Sequence, residues 1–301
     1  LITDDQFSNA NPLRKASTVR IVRFVKPLIE DGIIPVISGF IGRTRDGRIS
    51  TLGRGGSDTT ALLLATALQA DEVVLVTSSP GILTGDPILI RNTRTIPRID
   101  MKALVGIADA GTKFIHRKAL RFKDPDINIR VVSNSTGHLD GPGTLVTGNS
   151  LPELDVTLHN PHPVASVTLV GKDLPQRPEL VKKVTQAART DLVAVSQDSH
   201  SAIFYLKQSP RLKRLVNRLH AITIDNPAGV AVATRLGMAL IVVKGVGLED
   251  TPGVIARISD TLRTNEINIF GILTVTSSVH VLVDWKTRKR AAHLIKNSLE
   301  N

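Results

Sequence analysis

The chain has 301 residues, 42% of them hydrophobic and 22% charged, as in a folded globular protein and unlike a disordered one. It has no cysteine, which excludes disulfides, thiol nucleophiles and thiolate metal sites. A net charge of +11 favours anionic ligands, although a solvated basic surface would explain the same excess. Because only 3% of the residues are aromatic, we rank small anions above nucleic acid, which usually binds to stacking side chains.

Two features of the sequence indicate where in the cell the protein is expected: its longest apolar run and its first residues. Residues 238–243 form the longest purely apolar run, far shorter than a bilayer span, so we expect no membrane segment. Residues 1–5 lack the basic start and apolar stretch of a signal peptide, so we expect a cytoplasmic protein. Because the chain begins with Leu1 and not methionine, we also expect that upstream residues are not included.

The first half of the chain alternates between helical and strand patterns. Apolar residues recur at helical spacing in residues 12–30, and residues 57–70 are predicted as a helix capped by Ser57 or Asp58. Residues 33–38 and 71–77 are predicted as strands on either side of that helix. Two more helices, at 101–110 and 112–122, and a buried strand at 127–132 follow. This succession predicts an α/β fold, with a parallel sheet layered by helices.

The second half repeats one order of elements. Residues 148–163 are rich in proline, asparagine and serine, which is typical of a domain boundary. Beyond it, the order strand, helix, strand, strand, helix is predicted twice, at 164–170, 178–188, 192–196, 202–206 and 211–219, and at 239–243, 252–263, 267–275, 279–284 and 288–299. Units of about 70 residues in this order predict a duplicated ferredoxin-like module. We place three domains at 1–148, 149–220 and 221–301.

Residues 53–58, Gly-Arg-Gly-Gly-Ser-Asp, lie between a predicted strand and a predicted helix. Adjacent glycines allow a ligand to approach the main chain, and the helix N-terminus directs N–H groups at an anion. Arg54 offers a donor fork for a carboxylate or phosphate, while Ser57 and Asp58 can bind an ammonium or hydroxyl. These residues predict an anion site, and a glycine turn with a simple helix cap is the alternative.

Five segments of the chain resemble the aspartate kinase family. They are Gly-Phe-Ile-Gly at 39–42, Thr-Leu-Gly-Arg-Gly-Gly-Ser-Asp at 51–58, Gly-Ile-Leu-Thr-Gly-Asp-Pro at 81–87, Ala-Gly-Thr-Lys-Phe-Ile-His at 110–116 and Gly-Thr-Leu-Val at 143–146. The resemblance implies the nucleotide-side part of an amino-acid-kinase domain, followed by two βαββα ACT domains. Glutamate or carbamate kinases, the next candidates, lack this loop followed by tandem sensing domains.

The resemblance implies phosphoryl transfer from ATP to the side-chain carboxylate of L-aspartate, giving 4-phospho-L-aspartate on the route to lysine, threonine and methionine. Arg54 would bind a carboxylate of aspartate, Asp58 its ammonium, and Phe40 would lie against it. The residues that it assigns to aspartate are Phe40, Arg54, Gly55, Gly56, Ser57 and Asp58. Those that it assigns to the nucleotide are Thr77, Ser78, Gly81, Leu83, Asp86 and Lys113. Lys113 would also be catalytic, at the ATP phosphates.

The sequence itself shows no protein metal site, and Mg²⁺ is expected to arrive with ATP. It also departs from the family pattern. The family's Lys-Phe-Gly-Gly-Thr-Ser segment is absent, Ser78 and Leu83 replace an acidic and an aromatic residue at the nucleotide, and Ile88 replaces an arginine. We therefore expect activity only when the missing N-terminal part is present. The alternative is a non-catalytic amino-acid-sensing subunit or pseudokinase of the same family.

A second glycine-containing loop, at residues 245–254, joins a predicted strand to a predicted helix. Pro252 would lie near the first helical position, where its missing N–H costs nothing. By resemblance to ACT domains, this loop binds lysine or threonine as an effector. The assigned residues are Gly247, Leu248, Thr251, Pro252, Gly253 and Val254. A homodimer or higher oligomer is expected through these domains, and pairing of chains alone is the alternative role.

Overall fold

The computed structural model describes residues 1–109, 115–148, 154–159, 161–245, 248, 251–275 and 277–300. The chain divides into two compact units, one of Leu1–Glu153 with Gly245–Thr251 and the other of Leu154–Lys244 with Pro252–Asn301. We call these the first unit and the second unit. Within the described ranges, no helix combines the length and apolarity that crossing a bilayer requires.

Two sheets form the first unit. The smaller has the order β1 (Ile2–Thr3), β2 (Ile41–Thr44) and β3 (Ile49–Thr51), with β1 parallel to β2 and β2 antiparallel to β3. The larger contains β4 (Glu72–Thr77), β5 (Arg98–Asp100), β6 (Asn128–Ser133) and β7 (Gly143–Thr147), in the order β4-β6-β7-β5. Strands β4 and β6 are parallel over their whole length, so both end at the same edge, at Thr77 and Ser133.

The described part of the first unit has five helices. They are α1 (Arg14–Phe24), α2 (Lys26–Glu30), α3 (Gly56–Leu68), α4 (Met101–Asp109) and α5 (Arg117–Leu120). Of these, α3, α4 and α5 contribute to the core of the larger sheet. Leu62 and Leu63 of α3, Met101 and Leu104 of α4, and Ile129 of β6 are almost completely buried in one core. Because apolar burial is the main force holding these elements together, α3 is fixed on the sheet, and its N-terminus fixes the glycine loop.

The predicted strand at residues 33–38 is wrong, because this segment has no regular structure. Its side chains are exposed, with Ile34 at 89% and Val36 at 97%. A strand needs a neighbour to accept and donate its backbone hydrogen bonds, and none of the described strands pairs with this segment. In the larger sheet, β4 pairs with β6 and β5 pairs with β7 in parallel, whereas β6 and β7 are antiparallel, so the predicted parallel sheet is in fact mixed. Of the predicted helix at 112–122, residues 112–114 lie outside the described residues and only α5 is helical.

The second unit has a single sheet of seven strands. These are β8 (Asp155–Leu158), β9 (Val164–Gly171), β10 (Leu192–Gln197), β11 (Ser201–Lys207), β12 (Gly229–Lys244), β13 (Ile269–Thr274) and β14 (Ser278–Asp284). Their order is β10-β11-β9-β12-β14-β13, and β8 also pairs with β12. The helices are α6 (Pro178–Ala188), α7 (Leu212–Ile224), α8 (Val254–Thr264) and α9 (Arg288–Glu300). The predicted order of elements, repeated twice, is confirmed.

One long strand, β12, belongs to both ferredoxin-like modules. Its first part pairs with β9, its last part from Met238 pairs with β14, and the register shifts between Arg235 and Met238, beside Gly237 at φ 71°. β8 pairs with the last four residues of β12 and completes the second module. Residues 220 and 221, where the sequence-based division falls, lie inside α7.

Candidate active site

The glycine loop at residues 53–56 connects β3 to α3 through left-handed backbone. Gly53 has φ 70° and Gly55 has φ 73°, a region that side chains disfavour. A Cβ built at Gly55 would lie 2.2 Å from the Cβ of His116. Gly55 occupies the N-cap of α3 and no side chain caps the helix there, so the predicted cap by Ser57 or Asp58 is wrong. The loop therefore needs glycine at these positions, because it packs closely against Asn9 and His116.

Phe40 and Ser57, both predicted to contact aspartate, lie close to this loop. A Cβ built at Gly56 would lie 3.0 Å from the Phe40 ring, and one built at Gly39 would lie 3.0 Å from the Ser57 hydroxyl. Phe40 has φ 72°, which is strained for an aromatic residue, and the residue is 42% exposed. Observed strain in an exposed aromatic side chain marks a candidate functional position.

Asp58 lies in the first turn of α3 and is half-buried. Burial raises the pKa of its carboxyl above the ordinary value, while a hydrogen bond from the His116 backbone N–H and the charge of His116 lower it. Arg54 and Ser57 are exposed on the same loop. The loop therefore presents an exposed cation and hydroxyl beside a partly desolvated carboxyl group, an arrangement suited to a small zwitterion.

Two residues that the sequence analysis did not assign also contact this loop. His116 packs against Gly55, and the Lys118 ammonium donates a hydrogen bond to the Leu52 carbonyl at 2.8 Å, directly before Gly53. The resemblance included His116 as part of a motif but gave it no role. Lys118 has no sequence signal, because an α5 lysine that reaches the loop looks like any surface lysine.

Three of the residues predicted for the nucleotide, Thr77, Ser78 and Gly81, lie at or just after the carboxyl end of β4. In parallel α/β sheets, ligands bind at this edge. Thr77 accepts a hydrogen bond from the Ser79 N–H at 3.0 Å, and the Ser79 hydroxyl donates to the Gly81 carbonyl at 2.8 Å. These bonds form a compact turn with Ser78 exposed at its tip. Beside it, at the end of β6, the Ser133 and Ser135 hydroxyls lie 2.8 Å apart, a pair that the sequence analysis missed.

Leu83 and Asp86 are engaged within the protein. The Leu83 side chain is buried, so a nucleotide contact at this position would come from its backbone. The Asp86 carboxylate accepts the Ile88 N–H at 2.8 Å and closes a turn, after which Ile88 itself is exposed. Both assignments stay predictions.

The predicted effector residues have different environments. Gly253 adopts φ 82° and α8 begins at Val254, which is buried. Pro252 is therefore in the turn before the helix and not at its first position, because the left-handed Gly253 intervenes. Leu248 is half-buried and accepts the Thr251 N–H at 3.3 Å. Gly247 lies outside the described residues.

Lys113, predicted to be catalytic and to contact the ATP phosphates, also lies outside the described residues, as do residues 110–114 of its motif at 110–116. Among the residues that the structure does describe, no group of three or more His, Cys, Asp or Glu side chains is placed to hold a metal ion.

Comparisons with known proteins agree with this arrangement. The amino acid kinase family model matches residues 2–133, and an ACT domain model matches residues 234–297. The aspartokinase of Thermus thermophilus is 28% identical over 314 residues, covering 100% of this chain and 74% of that protein. The aspartokinase of Rickettsia prowazekii is 42% identical over 119 residues, 38% of this chain and 26% of that protein. The crystal structure of aspartate kinase from Synechocystis has a TM-score of 0.72 at 24% identity, over 91% of this chain and 50% of that chain.

The fold and the two family matches define an amino acid kinase region followed by ACT domains. Within that class, the chain is a relative of the aspartokinases along its whole length. The resemblance that the sequence motifs indicated is therefore confirmed.

Proposed function

We propose that the protein is an aspartate kinase that transfers the terminal phosphoryl group of ATP to the side-chain carboxylate of L-aspartate. The observation that carries this proposal is the glycine loop, which joins Phe40, Arg54, Ser57 and Asp58 at the N-terminus of α3 in a chain related to aspartokinases. Arg54 would hold a carboxylate, Asp58 the ammonium, and the α3 N–H groups the remaining negative charge. A cytoplasmic location suits a reaction that consumes ATP.

The proposed nucleotide site uses the turn after β4, with Thr77, Ser78 and Gly81, and Lys113 at the phosphates. A lysine there stabilises negative charge that spreads over the phosphoryl oxygens in the transition state. Mg²⁺ would be held by ATP phosphates and water, which are ligands that this ion usually keeps, and we assign it no protein ligand.

Catalysis by these 301 residues alone is not part of the proposal. The sequence has no Lys-Phe-Gly-Gly-Thr-Ser segment, and the Thermus thermophilus aspartokinase extends beyond the match by about a quarter of its length. Ile33, Ile34, Val36 and Ile37 are exposed in the segment that leads to Gly39, as expected of a surface that further polypeptide covers. We propose that turnover needs such a segment.

Regulation is proposed for the second unit. An ACT domain model matches residues 234–297, and we propose lysine or threonine as the effector near Gly253 and a homodimer or higher oligomer as the assembly. An effector changes activity only if it binds one arrangement of the protein more tightly than another. The domain limits 1–148, 149–220 and 221–301 stay proposals.

A non-catalytic sensor is the second candidate, favoured by Ser78, Leu83 and Ile88 at the nucleotide turn. The test joins the chain to the part of the Thermus thermophilus aspartokinase that lies outside the match. Release of ADP that depends on aspartate, together with its loss in Lys113→Ala, supports the kinase. Calorimetric binding of lysine or threonine without any binding of MgATP supports the sensor and overturns the kinase.

A further inference from the structure

The Lys118 ammonium is surrounded by backbone and amide oxygens. Its three N–H groups lie within hydrogen-bonding distance of four oxygens, the Ala10 carbonyl at 2.8 Å, the Leu52 carbonyl at 2.8 Å, the Asn9 side-chain oxygen at 3.0 Å and the Asn9 carbonyl at 3.3 Å. Burial lowers the pKa of this ammonium, while the charge of Asp4 raises it. Four oxygens from two distant segments therefore share one charge, and each bond to a charged donor is stronger than a neutral one.

These oxygens belong to two segments next to the glycine loop. Leu52 directly precedes the loop in sequence, and residues 9–10 lie against Gly53. The Ala10 N–H donates to the Thr51 carbonyl at 3.0 Å, and Ala10 and Leu52 are both completely buried. A Cβ built at Gly53 would lie 2.8 Å from the Asn9 side-chain oxygen that Lys118 binds. The ammonium thus holds the last residue before the loop and the segment against which the loop turns.

The other end of the loop, at Gly55 and Asp58, is held by residue 116, which belongs to the same short stretch of chain as Lys118. His116, two residues before Lys118, packs against Gly55 and donates its backbone N–H to Asp58. Arg54 lies between these two attachments and is exposed. The loop is therefore fixed at both ends, and its exposed part carries the donors that would bind a ligand.

We propose that Lys118 is a positioning residue for the amino-acid site, acting by fixing Leu52 and thereby the glycine loop that carries Arg54. The inference rests on the proposed function. A site that is ordered before its ligand arrives loses less conformational entropy on binding, so an anchor of this kind raises affinity without contacting the ligand. The compact ammonium suits convergent oxygens, whereas the planar fork of arginine does not.

The test compares Lys118→Met and Lys118→Arg with Lys102→Met, which changes an exposed lysine of α4. The protein is the chain joined to the aspartokinase segment described above. In Lys118→Met we expect amide exchange at residues 53–57 to quicken about tenfold or more, because an open loop exposes its N–H groups. The KM for aspartate should rise about tenfold with a smaller change in kcat, because binding is lost before chemistry. The KM for ATP should not change.

Lys118→Arg should resemble Lys118→Met, and Lys102→Met should resemble the parent. Unchanged exchange in Lys118→Met overturns the anchor, and faster exchange with an unchanged KM for aspartate overturns the positioning role. If Lys118→Met does not fold, Asn9→Ala removes one acceptor and should give a smaller shift in the same direction. A parent protein that binds no aspartate would overturn the proposed function, while the exchange comparison would still decide whether Lys118 orders the loop.

Discussion

Asp58 combines a proposed binding role with an unfavourable position. Because burial raises its pKa in the folded protein, the folded state binds its proton more tightly than the unfolded chain. Stability therefore falls as the pH rises from the unfolded pKa through the folded pKa, whereas binding an ammonium requires the ionised carboxylate. Asp58 therefore lowers stability at neutral pH and lines a candidate site. This combination is expected when a residue is kept for function at a cost in stability.

Asp58→Asn should raise the thermal midpoint of unfolding at pH 7, and the gain should shrink in acid, where the parent carboxyl is protonated. The same change should weaken aspartate binding about 10–100-fold, because the charged partner of the ammonium is lost. Asp46→Asn is the control, since hydrogen bonds from Thr44 and Arg48 lower the Asp46 pKa and the expected sign is opposite. A gain from Asp58→Asn that is independent of pH would contradict the assignment.

Arg54 is the exposed donor of the loop. Arg54→Ala and Arg54→Lys should both raise the KM for aspartate about 10–100-fold, because a lysine cannot reproduce a bidentate carboxylate contact. Initial rates at varied aspartate measure the effect, with the exposed Arg14→Ala of α1 as the control. If Arg54→Lys kept the parent KM for aspartate, the guanidinium would make no such contact.

At Gly55, in the connection from β3 to α3, left-handed backbone and close packing both favour glycine. Gly32, which follows α2, has the left-handed backbone without the close packing, so a comparison of the two separates these effects. Gly32 and Gly55 have similar φ values, 78° and 73°, but a Cβ at Gly32 meets nothing within 4 Å and one at Gly55 meets His116 at 2.2 Å. Gly32→Ala should cost about 1 kcal/mol, from left-handed backbone alone. Gly55→Ala should cost about 3 kcal/mol or more, because a steric clash adds to it.

Denaturant unfolding of both variants measures the difference. Equal losses of unfolding free energy would mean that His116 moves aside and does not support the loop. In that case, the loop would be less rigid than its contacts indicate.

Elements were predictable wherever local pattern and final packing agree. The helices and strands of the second unit follow their apolar periodicity, and the motifs located the glycine loop. Residues 33–38 have a strand-like composition, but composition does not supply a partner, and the segment stays irregular. β8 lies inside the predicted boundary region because four residues carry too little pattern to reveal a strand that pairs with a distant one. Lys118 depends on tertiary contacts that no spacing encodes.

At the scale of the whole second unit, the sharing of β12 predicts that both ferredoxin-like modules unfold together. Tyr205, the single tyrosine, lies in β11 of the first module, and Trp285, the single tryptophan, follows β14 of the second. The Tyr205 hydroxyl lies 3.2 Å from a Cβ built at Gly271 of β13, so the modules also touch across the sheet. Tyrosine absorbance and tryptophan fluorescence should therefore report one coincident transition.

Val156 and Thr157 test how β8 contributes to this unit. Val156 pairs with the buried Val243, whereas Thr157 is exposed and points to the opposite face. Val156→Asp should cost about 2–4 kcal/mol by placing a charge against the core, and Thr157→Asp should cost less than about 1 kcal/mol. Both optical signals should shift together in Val156→Asp. A shift in tryptophan fluorescence alone would show that the modules unfold independently.

The position of β8 also sets an order of events during synthesis. Its partner residues in β12 are translated roughly 80 residues later, which at about 5–20 residues per second leaves β8 exposed for on the order of several seconds. The module between them, from β9 to α7, can collapse during that interval, while the other must wait until β14 has left the ribosome. A nascent chain that stalls before residue 241 therefore carries an unpaired strand, which is a site for chaperone capture or for pairing with another chain.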